Sequence, residues 1–374
     1  MSPPVRIGQL LCFLLLATPL LRSASAADRL ILRNLELIAD RTVTAVDDDG
    51  ILLDKPRAGG ADRLTWDEIE RGRISPELQG EFNRLKDELG PPLFKLRQRM
   101  RIGDYAGLLA PAEELYPRFA PRQSQTAYLV CQSLMWGRLA AGRREAAVEP
   151  FLRCVDLLAR EVADPRRLPG PRRLLVNADS PVCGDMPPVW LDRQAAKDVL
   201  PAVQTLIKEM PMPRPAEAYV YYASLAATAG ELDEAAKVLD AVADASDGAK
   251  QARDVIRGQI EIERGRPASA GALDAAEKAG PPAVAGLARY WRGLQFLAAK
   301  EADQKRDGLL SLLSIPANDR GDQTELAAAA LHQSALALAA QGDSAGAAAV
   351  RRELAVRYGA TSVGVQTQRK TEMR

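Results

Sequence analysis

Apolar and polar positions change their period twice along the chain. From residue 28 to about residue 71 the period is near two: Leu30 and Leu32 alternate with Arg29, Ile31 and Arg33, and a second strand ends in Thr42-Val43-Thr44-Ala45-Val46. Asp47-Asp48-Asp49-Gly50 then reads as a tight hairpin turn, because Asp-Gly supplies the positive φ such turns need. Ile51-Leu52-Leu53-Asp54 returns, a loop carries Gly59-Gly60, and Arg63-Leu64-Thr65-Trp66 closes the set. These four short strands predict a small β unit over residues 27–74. Ser75-Pro76 opens a helix, Ser75 as N-cap and Pro76 at the first helical position, with an expected end near Gly90 before Pro91-Pro92. A helical period then prevails to Tyr358, interrupted only at residues 164–190, where Pro165, Pro169, Pro171, Pro181, Pro187 and Pro188 forbid a continuous helix.

The helical stretches share a turn signature, a Gly followed five residues later by Ala. Its clearest copy is Gly230-Glu231-Leu232-Asp233-Glu234-Ala235, with echoes at Gly142, Gly265 and Gly342. Each Gly is placed to end one helix and each Ala to sit early in the next, so the unit is a helical hairpin. A further hairpin is expected to turn between residues 300 and 308.

This unit resembles the tetratricopeptide repeat. Between residues 216 and 247, Tyr219 falls at the family's aromatic position, Ala223 and Ala235 at its small helix-packing positions, Gly230 at the turn and Leu239 at a large apolar position; Ala226 replaces a tyrosine and no Pro closes the unit. The degenerate copies keep Leu134, Ala147 and Phe151, then Gly258 and Ala270, then Leu331, Ala335 and Ala347. The resemblance implies a mainly α chain: a tetratricopeptide-like α-solenoid over 75–358, whose small residues let helices approach and whose hairpins stack to bury faces none could bury alone. The preceding strands resemble an SH3-like or Sm-like barrel by strand pattern only. Residues 359–374 are expected to be a disordered tail.

The first residues read as an export signal: Arg6, an apolar run over 10–21, and Ser23-Ala24-Ser25-Ala26 for cleavage after Ala26. The run is shorter than the roughly 20 residues a bilayer requires, so no membrane insertion is expected after cleavage. Cys12 follows Leu11 rather than a small residue, which argues against a lipid anchor. The implied location is periplasmic or secreted. There a disulfide is chemically permitted, and Cys131, Cys154 and Cys183 remain; a Cys131–Cys154 bridge across the Gly142 turn, a Cys154–Cys183 bridge, and Cys131 and Cys154 as small buried residues all stay open.

A formal net charge of +1 gives no footprint for nucleic acid. The acidic triplet before Gly50 lacks the alternate spacing of a calcium loop. His332, the one histidine, has no metal-ligand partner at helical spacing and is expected half-buried or facing solvent. Gly342-Asp343-Ser344-Ala345-Gly346 lacks the strand before and the His after that a nucleophile elbow needs. No Gly-rich phosphate loop occurs, so no cofactor is expected. The expected function is a non-enzymatic scaffold that binds a protein or peptide on the concave side of the helices, near Arg166, Arg167, Arg172, Arg173, Trp190, Tyr219 and Tyr222. Alternatives of another class are an envelope carbohydrate-binding accessory or enzyme, which exposed aromatics beside carboxylates would favour, and a purely structural spacer.

Overall fold

A computed structural model describes residues 28–56, 62–172, 174, 180–242 and 246–372. The export segment with Cys12, the Gly59-Gly60 loop and Arg173 lie outside the described residues.

Six strands come first: β1 (Arg29–Leu32), β2 (Leu37–Ile38), β3 (Val43–Asp47), β4 (Gly50–Leu53), β5 (Arg63–Leu64) and β6 (Ile69–Arg73). They form two three-stranded antiparallel sheets, ordered β2-β1-β6 and β3-β4-β5, and no closed barrel forms among the described residues. The expected second strand splits: Leu37–Ile38 pairs with β1, whereas Val43–Asp47 turns away to pair with β4. β6 is an additional strand, and its Gly72 leaves room for Leu30 and Phe82, each of which would meet a Cβ there within 2.7 Å. The Asp-Gly hairpin forms as the sequence predicts. Asp47 pairs with Gly50, whose φ of +130° and 1.9 Å approach of a would-be Cβ to the Leu64 carbonyl oxygen both demand glycine.

The acidic triplet is consumed by cations of the helices and the neighbouring strand. Arg118 lies 2.5 Å from Asp48, Arg122 lies 3.2 Å from Asp49, and Arg63 lies 2.5 Å from Asp47. The Arg118 hydrogen bond, working against desolvation, holds the Asp48 carboxyl below the ordinary carboxylate range.

Among the described residues fourteen α-helices follow: α1 (Pro76–Ile102), α2 (Leu109–Phe119), α3 (Gln125–Ala140), α4 (Val148–Ala159), α5 (Arg193–Glu209), α6 (Ala216–Ala229), α7 (Leu232–Leu239), α8 (Asp247–Glu263), α9 (Ala270–Ala279), α10 (Pro282–Leu297), α11 (Ala302–Asn318), α12 (Thr324–Ala340), α13 (Ser344–Tyr358) and α14 (Ser362–Glu372). α1 does not stop at Gly90. Its buried stripe of Phe82, Leu85, Leu89, Leu93, Leu96 and Met100 keeps helical register straight through Pro91 and Pro92. The packing of that stripe outweighs the backbone bonds the two prolines remove.

Gly142, Gly230, Gly265 and Gly342 all take positive φ, between +67° and +98°, and each separates two helices. The hairpin without a turn glycine bends over residues 298–301; Gly308 instead lies inside α11, where a Cβ would come within 2.7 Å of the Gly293 carbonyl oxygen. Alternate helices also touch: α4 with α6, then α6 with α8, α8 with α10, α10 with α12 and α12 with α14. In this row α6 is buried almost all round and α12 over most of its first three turns; α3, outside the row, is also buried almost all round. One contiguous apolar core runs from Leu30 of the first sheet through Trp66 and Phe82 to Val363, so the sheets share the core of the helices.

Early and late helices meet. α14 reaches back to α3, and Gly142 leaves room for the backbone of Gln366. The expected disordered tail is therefore a docked helix, because Ser362 and Val363 are buried and Ser362 caps the carboxylate of Glu325 at 2.9 Å and 2.7 Å. At the seam Arg144 and Glu325, each 1% exposed in its side chain, pair at 3.1 Å. Arg144 also donates to Ser362 Oγ and to the carbonyls of Pro187 and Val189.

Candidate functional site

The proline-rich insertion turns inward. Tyr221 Oη accepts from Cys183 N–H and donates to the Met186 carbonyl, Trp190 Nε1 donates to Ser224 Oγ at 3.1 Å, and Ser224 Oγ donates to the Pro188 carbonyl at 2.8 Å. Gly184 lies so close to the Asp322 carbonyl that a Cβ would stand 2.5 Å from it. Residues 183–190 thus pack against α6 and the backbone of Asp322, and Arg144 stacks over Trp190 at 5.6 Å.

This placement separates the residues expected to meet a partner. Trp190, Tyr219 and Tyr222 are buried, at 6%, 8% and 3% exposure. Arg166 is exposed and pairs with Asp164 at 3.0 Å, whereas Arg167 pairs with Glu68 of the sheet region at 3.1 Å. Arg172 pairs with Asp185 at 3.1 Å and lies over Trp136 at 4.7 Å. Among the described residues Trp190, Tyr219, Tyr222, Arg167 and Arg172 are thus engaged within the fold, whereas Arg166 stays exposed beside Asp164.

Cys131, Cys154 and Cys183 are free, buried thiols, and no pair among them is bridged. Burial pushes Cys131 and Cys183 up to about 12, and Cys154 well above its ordinary value as well. Thiols held protonated at neutral pH are poor nucleophiles. His332 is half-buried on α12, its Nδ1 3.2 Å from Thr367 Oγ1 of α14. Gly342 and Ser344 belong to a helix turn, with Asp343 capping α13 by accepting from Gly346 N–H. No His, Cys, Asp or Glu cluster with metal-binding geometry occurs among the described residues.

The outer face of α9, α10 and α11 carries a groove instead. Two adjoining clefts of 460 Å³ and 210 Å³ share Arg289 and Asn318. On α10, Arg289, Arg292 and Phe296 line it at helical spacing, while Tyr290 and Gly293 point to the core. On α11, Asp307, Leu310, Ser311, Ser314 and Asn318 form one continuous stripe, with Leu310 58% exposed. The floor is an ion network: Arg289 donates to Glu277 at 2.9 Å, and Arg292 meets Glu277 at 2.7 Å and Asp274 at 3.0 Å. Glu277, Asp307, Asp319 and Asp322 give the lining four carboxylates against the two guanidinium groups of Arg289 and Arg292. Asp307 and Asp322 have no ion pair among the described residues. The signal that could have found the groove was the α11 stripe, polar except for one outward-facing leucine.

Fold and groove define a mainly helical protein with a small antiparallel sheet region at its N-terminal end and no helix, among the described residues, long and apolar enough to cross a membrane. No protein-family model, curated protein or solved structure matches the chain.

Proposed function

We propose that this chain is an exported, non-enzymatic scaffold of tetratricopeptide-like helical hairpins that binds a basic peptide segment of a partner protein in the α9–α11 groove. The observation that carries the reading is the charge of that groove. Its two arginines are already neutralised by Glu277 and Asp274, and Asp319 accepts from Gly321 N–H and Gln323 N–H, which leaves Asp307 and Asp322 in the lining without an ion pair among the described residues. A lysine- or arginine-bearing segment complements those carboxylates, and Leu310 with Phe296 supplies apolar contact beside them. The leader with Arg6, the apolar run and Ser23-Ala24-Ser25-Ala26 supports a periplasmic or secreted location. The burial of Trp190, Tyr219 and Tyr222 counts against the glycan alternative, since none of these rings is open for sugar stacking.

The test is fluorescence anisotropy of the mature protein with ten-residue peptides that are basic, neutral or acidic, followed by crosslinked capture from envelope extract. Basic peptides should bind best, and Asp307→Lys with Asp322→Lys should weaken them at least tenfold. Raising salt from 50 to 200 mM should weaken them too, because exposed charges are screened over roughly 10 Å. Indifference to peptide charge, or equal capture by wild type and variant, rejects the groove; capture of glycan alone rejects the protein partner.

A further inference from the structure

We propose that the outer face of the first sheet is a docking surface for an anionic phospholipid membrane, on which the protein lies without crossing it. The face shares no residue with the α9–α11 groove, so either proposal can fail without the other.

The register of β2, β1 and β6 fixes what this face presents. Leu30, Leu32, Ile38 and Ile69 are buried on the core side, so the residues alternating with them point outward. One row across the outer side runs Leu37, Ile31 and Arg71, and the next sets Arg29 against Arg73. At strand spacings of about 4.8 Å and a rise of about 3.3 Å per residue, these five side chains share a patch of about 10 Å by 7 Å. Arg29, Arg71 and Arg73 are all exposed, and none has an ion pair among the described residues. The nearby acids do not neutralise them: Glu70 pairs with Arg33 at 2.8 Å, Glu36 is held by Asn34 in the β1–β2 turn, and Glu77 lies in the first turn of α1, where the helix dipole favours it.

Two features of this face work against the stability of the sheet. Arg29 and Arg73 stand directly opposite each other, an arrangement in which like charges repel. Charges on an edge strand ward off further strands, which accounts for Arg71 and Arg73 on β6 but not for Arg29 on the central strand. The β1–β2 turn, in addition, ends in Leu35 at φ +69°, its N–H donating to the Leu32 carbonyl at 2.9 Å. Glycine takes that conformation without strain. A leucine stands there instead, 84% exposed, and Leu37 two residues on is 60% exposed.

The chemistry of the patch points to its partner. Three guanidinium groups without counter-charges fit a surface dense in anions, and Leu35 and Leu37 beside them fit one that also admits apolar side chains. An anionic bilayer offers both in adjacent layers, phosphate headgroups for the arginines and the acyl boundary beneath them for the leucines. A purely acidic polypeptide would meet the arginines and leave the leucines in water.

Flotation of the mature protein with phosphatidylcholine vesicles, with and without roughly a third phosphatidylglycerol, tests this, and binding to soluble poly-glutamate is measured alongside. The protein should float with the anionic vesicles alone. Arg29→Gln, Arg71→Gln and Arg73→Gln together should weaken that binding by roughly tenfold or more, each arginine at such a surface being worth about a factor of five. The melting temperature of the triple variant should hold or rise, because the cross-strand repulsion goes as well. Leu35→Gly suits the backbone, so it should keep the fold intact and still weaken vesicle binding by about threefold or more. Equal flotation with neutral vesicles, no flotation with either, indifference to the triple substitution or to Leu35→Gly, or poly-glutamate bound as tightly as anionic vesicles overturns the proposal.

Discussion

The seam between Arg144 and Glu325 is the point at which the fold is most open to test. Both side chains are 1% exposed, and Glu325 accepts from Arg144 at 3.1 Å and from Ser362 N–H and Oγ at 2.9 Å and 2.7 Å. Glu325→Gln keeps shape and acceptor for Ser362 but leaves the guanidinium of Arg144 buried without a counter-charge. Breaking one half of a buried pair costs about 3–5 kcal/mol, and Arg144→Met should cost as much, because it leaves the Glu325 carboxylate without its cation and also strands the carbonyl of Val189. Replacing both by apolar residues, Arg144→Met with Glu325→Leu, should lose far less than the two single losses together, since no charge is then stranded. The assay is urea unfolding of wild type, both singles and the double, which yields a coupling free energy; residues in one buried network couple by about 0.5–3 kcal/mol. Single losses below 1 kcal/mol, or strict additivity, would refute the view that this pair holds early and late helices together.

Three further outcomes follow from the same geometry. Ala235→Arg places a charged side chain at a fully buried helix contact and should lower the melting temperature clearly, by overpacking and charge burial; an unchanged temperature in scanning fluorimetry contradicts the packing. Asp48 has its folded pKa depressed, chiefly by the Arg118 bond, so its stabilisation is present above the ordinary value of 3.8 and is lost as pH falls through the folded value. Asp48→Asn should therefore destabilise at pH 7 and matter little near pH 2, and equal losses at both pH values in denaturant titrations would contradict the pairing. A thiol reagent such as Ellman's should leave native Cys131, Cys154 and Cys183 unmodified for minutes at pH 8 and count three thiols in denatured mature protein without prior reduction; fewer than three means a bridge exists.

Local signals in the sequence carried as far as local forces decide the structure. The Asp-Gly hairpin and the four turn glycines were legible because positive φ is a property of single residues. Pro91-Pro92 misled for the same reason: the local penalty is real, but a buried stripe on both sides of it belongs to tertiary packing. Strand period could indicate β structure but could not show that the chain between Ile38 and Val43 changes sheets. Trp190, Tyr219 and Tyr222 looked like surface anchors because the repeat resemblance implies an open inner face, whereas all three side chains are buried. Arg144 and Glu325 carry no sequence signal at all, since nothing in a helical pattern says that positions 181 residues apart will meet in the dark of a core.

That separation has a consequence in time. A polypeptide is assembled from its N terminus at roughly 5–20 residues per second, so Arg144 emerges about 10–40 s before Glu325 and Ser362 exist to meet it. Through that interval α3 lacks the contact that α14 makes with it. Linear repeat chains can gain or lose a unit and still fold. Here the buried guanidinium of Arg144 has no counter-charge until Glu325 has been made.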